Sequence, residues 1–123
     1  TIERYEHVMH IVSEVTGELK PNLSPMSVIA SLLPTGTVSG APKLRAIQRI
    51  CESYPYKRGI YSGGVGYINC NHHLDFALAI RTMIIDEETV SVEAGCGVVY
   101  DSIPEKELEE TKLKAKSLLE VTP

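Results

Sequence analysis

Long apolar runs are missing from this chain of 123 residues. None approaches the roughly 20 residues a membrane-spanning helix needs, so a membrane partner is not expected. An excess of basic residues is also missing. Twelve Lys and Arg stand against 16 Asp and Glu, a formal net charge of −4, which leaves no electrostatic footprint for nucleic acid. Paired cysteines are lacking too. Cys51, Cys70 and Cys96 are odd in number and widely spaced, which argues against a disulfide framework and for a reducing, cytoplasmic setting. Without a Cys-x-x-Cys spacing, Cys70, His72 and His73 make a poor zinc set. There is no internal repeat, low-complexity tract or linker, so residues 1–123 read as one unit. Nor is there an initiating Met or a basic-plus-apolar leader. The expectation is a piece cut from a longer polypeptide.

What is present looks like an ordinary globular domain, with 43% hydrophobic and 23% charged residues. Ile2, Tyr5, Val8, Met9, Val12, Val15 and Leu19 recur with a helical period, with Gly17 and Pro21 as stop signals. Ser24 before Pro25 reads as an N-cap opening a short helix to about Leu33. Residues 34–41 read as a loop, and Pro42 opens a third helix to about Ser53. Residues 60–69, 74–86 and 89–100 are rich in β-branched and aromatic residues and read as three strands of an antiparallel meander. Ser102 and Glu105 fit a capping box that opens a last helix to about Val121. The pattern predicts an α+β fold in the order ααα-βββ-α. The free edges of so small a sheet would need cover, from further sequence or from a second copy of the chain.

Four stretches could carry chemistry. Residues 34–43 (PTGTVSGAPK) feed a helix N-terminus, and their N–H groups and hydroxyls could meet an anion; an ordinary capped turn is an equal alternative. Gly63, Gly64 and Gly66 interrupt a strand pattern, which points either to a ligand's close approach or to tight packing. Arg81 stands in an apolar run and needs a partner, either an acid ligand or a structural ion pair. Gly95 and Gly97 fall in the third expected strand, again where a strand would prefer bulk. In the last helix Leu108, Thr111, Ala115, Leu118 and Leu119 form the apolar stripe. Glu107, Glu110 and Lys114 lie along one edge of it, where two carboxylates could share a hard cation or simply face solvent.

Taken in order, ERYEHVMH at 3–10, GTVSGAPK at 36–43, GGVGY at 63–67, IRT at 80–82, AGCG at 94–97, DS at 101–102 and ET at 110–111 resemble the chorismate-utilising enzymes over nearly the whole chain. The resemblance implies the C-terminal portion of a chorismate-binding catalytic domain, part of a larger α/β sandwich. It implies that Tyr61, Arg81, Gly95 and Gly97 hold a carboxylate of chorismate and that Lys114 adds positive charge to the same wall. It implies that His10 and Thr37 face the reacting ring and that Glu107 and Glu110 help bind Mg²⁺. The wording of VMH at 8–10 and GTVSG at 36–40 is most similar to the anthranilate-forming branch of the family, a lyase of tryptophan biosynthesis supplied with ammonia by a glutamine amidotransferase subunit. The branch that makes 4-amino-4-deoxychorismate is the near alternative, and a non-catalytic anion-binding module is a third. Cys96 stands where the family usually has a smaller residue, and reads as a neutral replacement. Other Mg²⁺-binding glutamates and the general acid of the family lie upstream of these residues, so the 123 residues alone are expected to be inactive.

Overall fold

The computed structural model describes residues 1–4 and 9–121, except for the side chain of His10. Strands β1 (Ile2–Arg4) and β2 (Met9–Ile11) open the chain. Helices α1 (Pro25–Leu32), α2 (Gly36–Ser39) and α3 (Lys43–Ser53) follow. Strands β3 (Gly64–Ile68), β4 (Leu74–Leu78), β5 (Met83–Ile85) and β6 (Val90–Val92) come next, and helix α4 (Pro104–Leu119) ends the order. The strands form three separate antiparallel ribbons, β1-β2, β3-β4 and β5-β6.

The mixed α+β class and the antiparallel pairing are as expected, but the order ααα-βββ-α is not. The segment read as a first helix begins as a hairpin in which Ile2 faces Ile11 and Glu3 faces His10, closed by Val12 N–H donating to Thr1 O at 2.8 Å. Ile2, Ile11, Val12, Val15 and Thr16 are β-branched and favour extended backbone. Tyr5 and Val8, also counted toward that helix, lie outside the described residues. The second correction is in the meander. The strand expected at 74–86 breaks into β4 and β5, and the one expected at 89–100 ends at Val92, so residues 93–98 are not in a strand. At the break Ile80 N–H donates to Leu78 O at 2.9 Å, Thr82 Oγ1 donates to Ile80 O at 3.0 Å, and Arg81 adopts φ +52°. Few non-glycine residues hold that left-handed conformation.

The helices follow their local signals more closely. Ser24 Oγ accepts from Ser27 N–H at 3.1 Å and Pro25 fills the first turn of α1. Helix α3 stops at Tyr54, before Pro55. Helix α4 carries Glu105 and Glu107 in its first turn and Lys116 in its last, matching the helix dipole. Its capping box is not formed. Ile103 is the N-cap, and Ser102 Oγ instead accepts from Val99 N–H at 3.0 Å, so the serine closes the preceding turn.

Among the described residues burial is greatest at the base of the β3-β4 ribbon, with Ser39 of α2 the other buried residue, 7% exposed. Ala79 is 2% exposed and Ser62 4%. Ser62 N–H donates to Ala79 O, and Ala79 N–H donates to Gly63 O, both at 3.0 Å. Two of the strand glycines serve this packing. A methyl on Gly64 would lie 2.7 Å from Leu33 Cδ1, and one on Gly66 would lie 2.0 Å from Asp75 O. Tight packing, rather than a ligand, accounts for both.

Candidate anion-binding site

Four of the residues singled out from sequence form one connected wall. Tyr61 follows a turn in which its N–H donates to Arg58 O at 3.0 Å. A methyl on Gly95 would sit 3.0 Å from the Tyr61 hydroxyl, so the phenol end is packed against that glycine. The Gly95 carbonyl accepts from Lys114 Nζ at 3.2 Å. Lys114 O in turn accepts from Arg81 Nη1 at 3.0 Å. The chain of contacts therefore runs Tyr61, Gly95, Lys114, Arg81, and joins the turn before β3, the break between β4 and β5, the segment after β6 and the middle of α4.

Donors are left over on this wall. A guanidinium has five N–H groups and an ammonium three. Arg81 directs one bond to Lys114 O, and among the described residues it makes no ion pair, so the structural ion pair considered above is not what holds it. Lys114 Nζ contacts Gly95 O and the Glu110 carboxylate. The positive charge at Arg81 is exposed and open to an anion.

Helix α4 turns a half-buried face inward that comprises Glu107, Thr111, Lys114, Ala115 and Leu118. The polar edge read from the sequence is therefore partly the inner face, while Leu108 and Leu119 are exposed. Thr111 Oγ1 donates to Glu107 O at 2.9 Å. Glu107 lines a cavity of about 350 Å³ with Cys96, Ser102, Pro104 and Thr111. Glu110 is tied to Lys114. Among the described residues no three His, Cys, Asp or Glu side chains gather as a metal group. Two carboxylates one turn apart nevertheless match what Mg²⁺ takes from a protein, with water and substrate oxygens completing its shell.

Other expected site residues make none of these linking contacts. Gly97 is exposed, with open space above its Cα. Thr37 is exposed on α2, its Oγ1 3.0 Å from Thr35 Oγ1. The side chain of His10 lies outside the described residues; its backbone stands in β2. Sequence reasoning passed over Arg58. Its Nη1 donates to Val38 O at 3.4 Å, and its guanidinium carbon lies 5.6 Å from the centre of the Tyr61 ring. The signal available was a basic residue three positions before a candidate tyrosine.

Comparison with known proteins identifies the family of the chain. A family described as chorismate binding enzyme matches residues 1–120. Anthranilate synthase component 1 of Lactococcus lactis subsp. lactis is 54% identical over 120 residues, 98% of this chain and 26% of that protein. Its counterpart in Aquifex aeolicus is 53% identical over 118 residues, 96% of this chain and 24% of the relative. The chain thus spans about a quarter of the length of these relatives. A solved structure described as a 2,3-dihydroxybenzoate-specific isochorismate synthase from Bacillus anthracis superposes with a TM-score of 0.87 at 34% identity. It covers 98% of this chain and 32% of its own.

Proposed function

The chain belongs to the chorismate binding enzymes, and from that premise we propose that it is the C-terminal part of the chorismate-converting subunit of an anthranilate synthase. The observation that carries this reading is the linked set Tyr61, Gly95, Lys114 and Arg81. It offers a phenol, a guanidinium and an ammonium to one small carboxylate. The reaction adds ammonia at C2 of chorismate with loss of the C4 hydroxyl, then eliminates pyruvate to leave anthranilate. The names of relatives about half identical to this chain favour anthranilate over 4-amino-4-deoxychorismate.

In this reading Arg81 and Tyr61, with the backbone at Gly95 and Gly97, hold a substrate carboxylate. Lys114 keeps the wall positive. Thr37 faces the ring, and His10 transfers a proton as pyruvate leaves, a role open to an imidazole. Glu107 and Glu110 are the residues that would hold Mg²⁺, and the bound ion would supply Lewis-acid stabilisation of charge on the ring carboxylate. A glutamine amidotransferase subunit would supply the ammonia.

The test is direct. The complete polypeptide carrying these residues, given chorismate, Mg²⁺ and ammonium, should produce anthranilate fluorescence, and removing Mg²⁺ with a chelator should abolish it. Accumulation of 4-amino-4-deoxychorismate would assign the other branch, and absence of chorismate binding by calorimetry would remove the reading. A His10→Met protein that keeps the full rate would remove the role given to His10.

A further inference from the structure

We propose that Arg58 is a positioning residue that holds the Tyr61 ring and helix α2 in one fixed relation, a proposal that rests on the reading of Tyr61 as a substrate-binding group. Arg58 and Tyr61 are joined twice. The Arg58 carbonyl accepts from Tyr61 N–H at 3.0 Å, and the guanidinium lies over the ring at 5.6 Å. Gly59, at φ +57°, takes a backbone conformation that costs a glycine little, and it lets the chain turn so that both contacts form. The same guanidinium reaches Val38 O at 3.4 Å. Val38 follows Thr37 near the C-terminal end of α2, where helix carbonyls lack partners along the helix.

Tyr61 needs such a restraint. Its hydroxyl end is packed beside Gly95, but the residue also borders a cavity of about 350 Å³ that Leu33, Ile47 and Ile50 line as well. That volume is room into which the ring could swing. Arg58 lines the same cavity, and its planar fork can cover an aromatic face while donating to a carbonyl. A lysine ammonium is a single point charge that serves one of these contacts at a time. Arg58 therefore acts on the substrate only through Tyr61 and α2.

The test uses the complete polypeptide with 3-fluorotyrosine at position 61, in the wild type and in Arg58→Lys and Arg58→Met variants. The fluorine resonance of Arg58→Met should shift or broaden without any ligand, while the far-ultraviolet circular dichroism stays that of the wild type. Its kcat/KM for chorismate should fall about tenfold, a size within the range of one lost cation–π contact. The loss should lie mainly in KM, and Arg58→Lys should recover part of it. In a Tyr61→Leu background the Arg58→Met change should cost almost nothing more. An unmoved resonance, or full additivity of the two substitutions, would overturn the proposal. Failure of the wild type to bind chorismate would instead overturn the reading of the site, and the resonance would still decide whether Arg58 positions Tyr61.

Discussion

Arg81 shows how a single side chain can be placed at some cost. Its φ of +52° is a conformation that costs an L-residue about 1–2 kcal/mol, and the chain accepts it where the strand breaks and the guanidinium turns toward α4. Lysine at this position would meet the same backbone cost, so Arg81→Lys isolates the fork itself. It should weaken binding of chorismate or benzoate to the complete polypeptide by about tenfold or more, read by calorimetry, with little change in unfolding midpoint. Gly95 is a second such position. A methyl there would meet the Tyr61 hydroxyl at 3.0 Å and push the phenol from its place. Gly95→Ala should therefore raise KM several-fold while costing no more than about 1 kcal/mol of stability. Equal losses in kcat and stability would show instead that the glycine serves packing alone.

Among the ribbons, β3-β4 depends most on small residues. Gly66 faces Phe76 across the pair, and a methyl on it would come within 2.0 Å of the Asp75 carbonyl, a backbone atom that cannot move without opening the ribbon. Gly66→Ala should lower stability by about 3 kcal/mol in urea unfolding of the complete polypeptide. Gly36→Ala is the control. It adds a methyl with open space around it at the start of α2 and should change stability by less than about 0.5 kcal/mol. Loss of the β3-β4 ribbon would also release Ser62 and Ala79, whose mutual hydrogen bond anchors the turn carrying Tyr61.

Across all 123 residues the notable quantity is surface. The chain exposes 10693 Å², whereas a compact monomer of 13.5 kDa exposes about 6,500 Å². Ala79 is the one buried hydrophobic residue among those described, and Leu44, Leu113, Val98, Val99 and Tyr100 are widely exposed. Exposed apolar surface on this scale drives association. The 123 residues by themselves should bind a hydrophobic dye such as ANS and sediment as oligomers at micromolar concentration. They should show negligible turnover, since they span about a quarter of the length of their relatives and a substrate site lacking part of its walls positions its ligand poorly. A monodisperse, dye-silent monomer would contradict the burial described here.

Much of this was legible in the residues themselves. The Ser24 cap, Pro25 at the start of α1, the stop at Tyr54 and the charge order of α4 act over a few neighbouring positions, so local chemistry settles them. The ordered motifs, from ERYEHVMH to the ET of α4, carry the family in their wording alone. Tertiary structure decided the rest. The apolar period at the start of the chain also suits β-branched residues in an extended pair, and only pairing of Ile2 with Ile11 separates the two. The break at Arg81 and the split of the meander depend on what α4 offers across space, and the bond from Arg81 to Lys114 O spans 33 positions. No period in a sequence encodes a contact closed over that distance, because its formation depends on how the intervening elements pack.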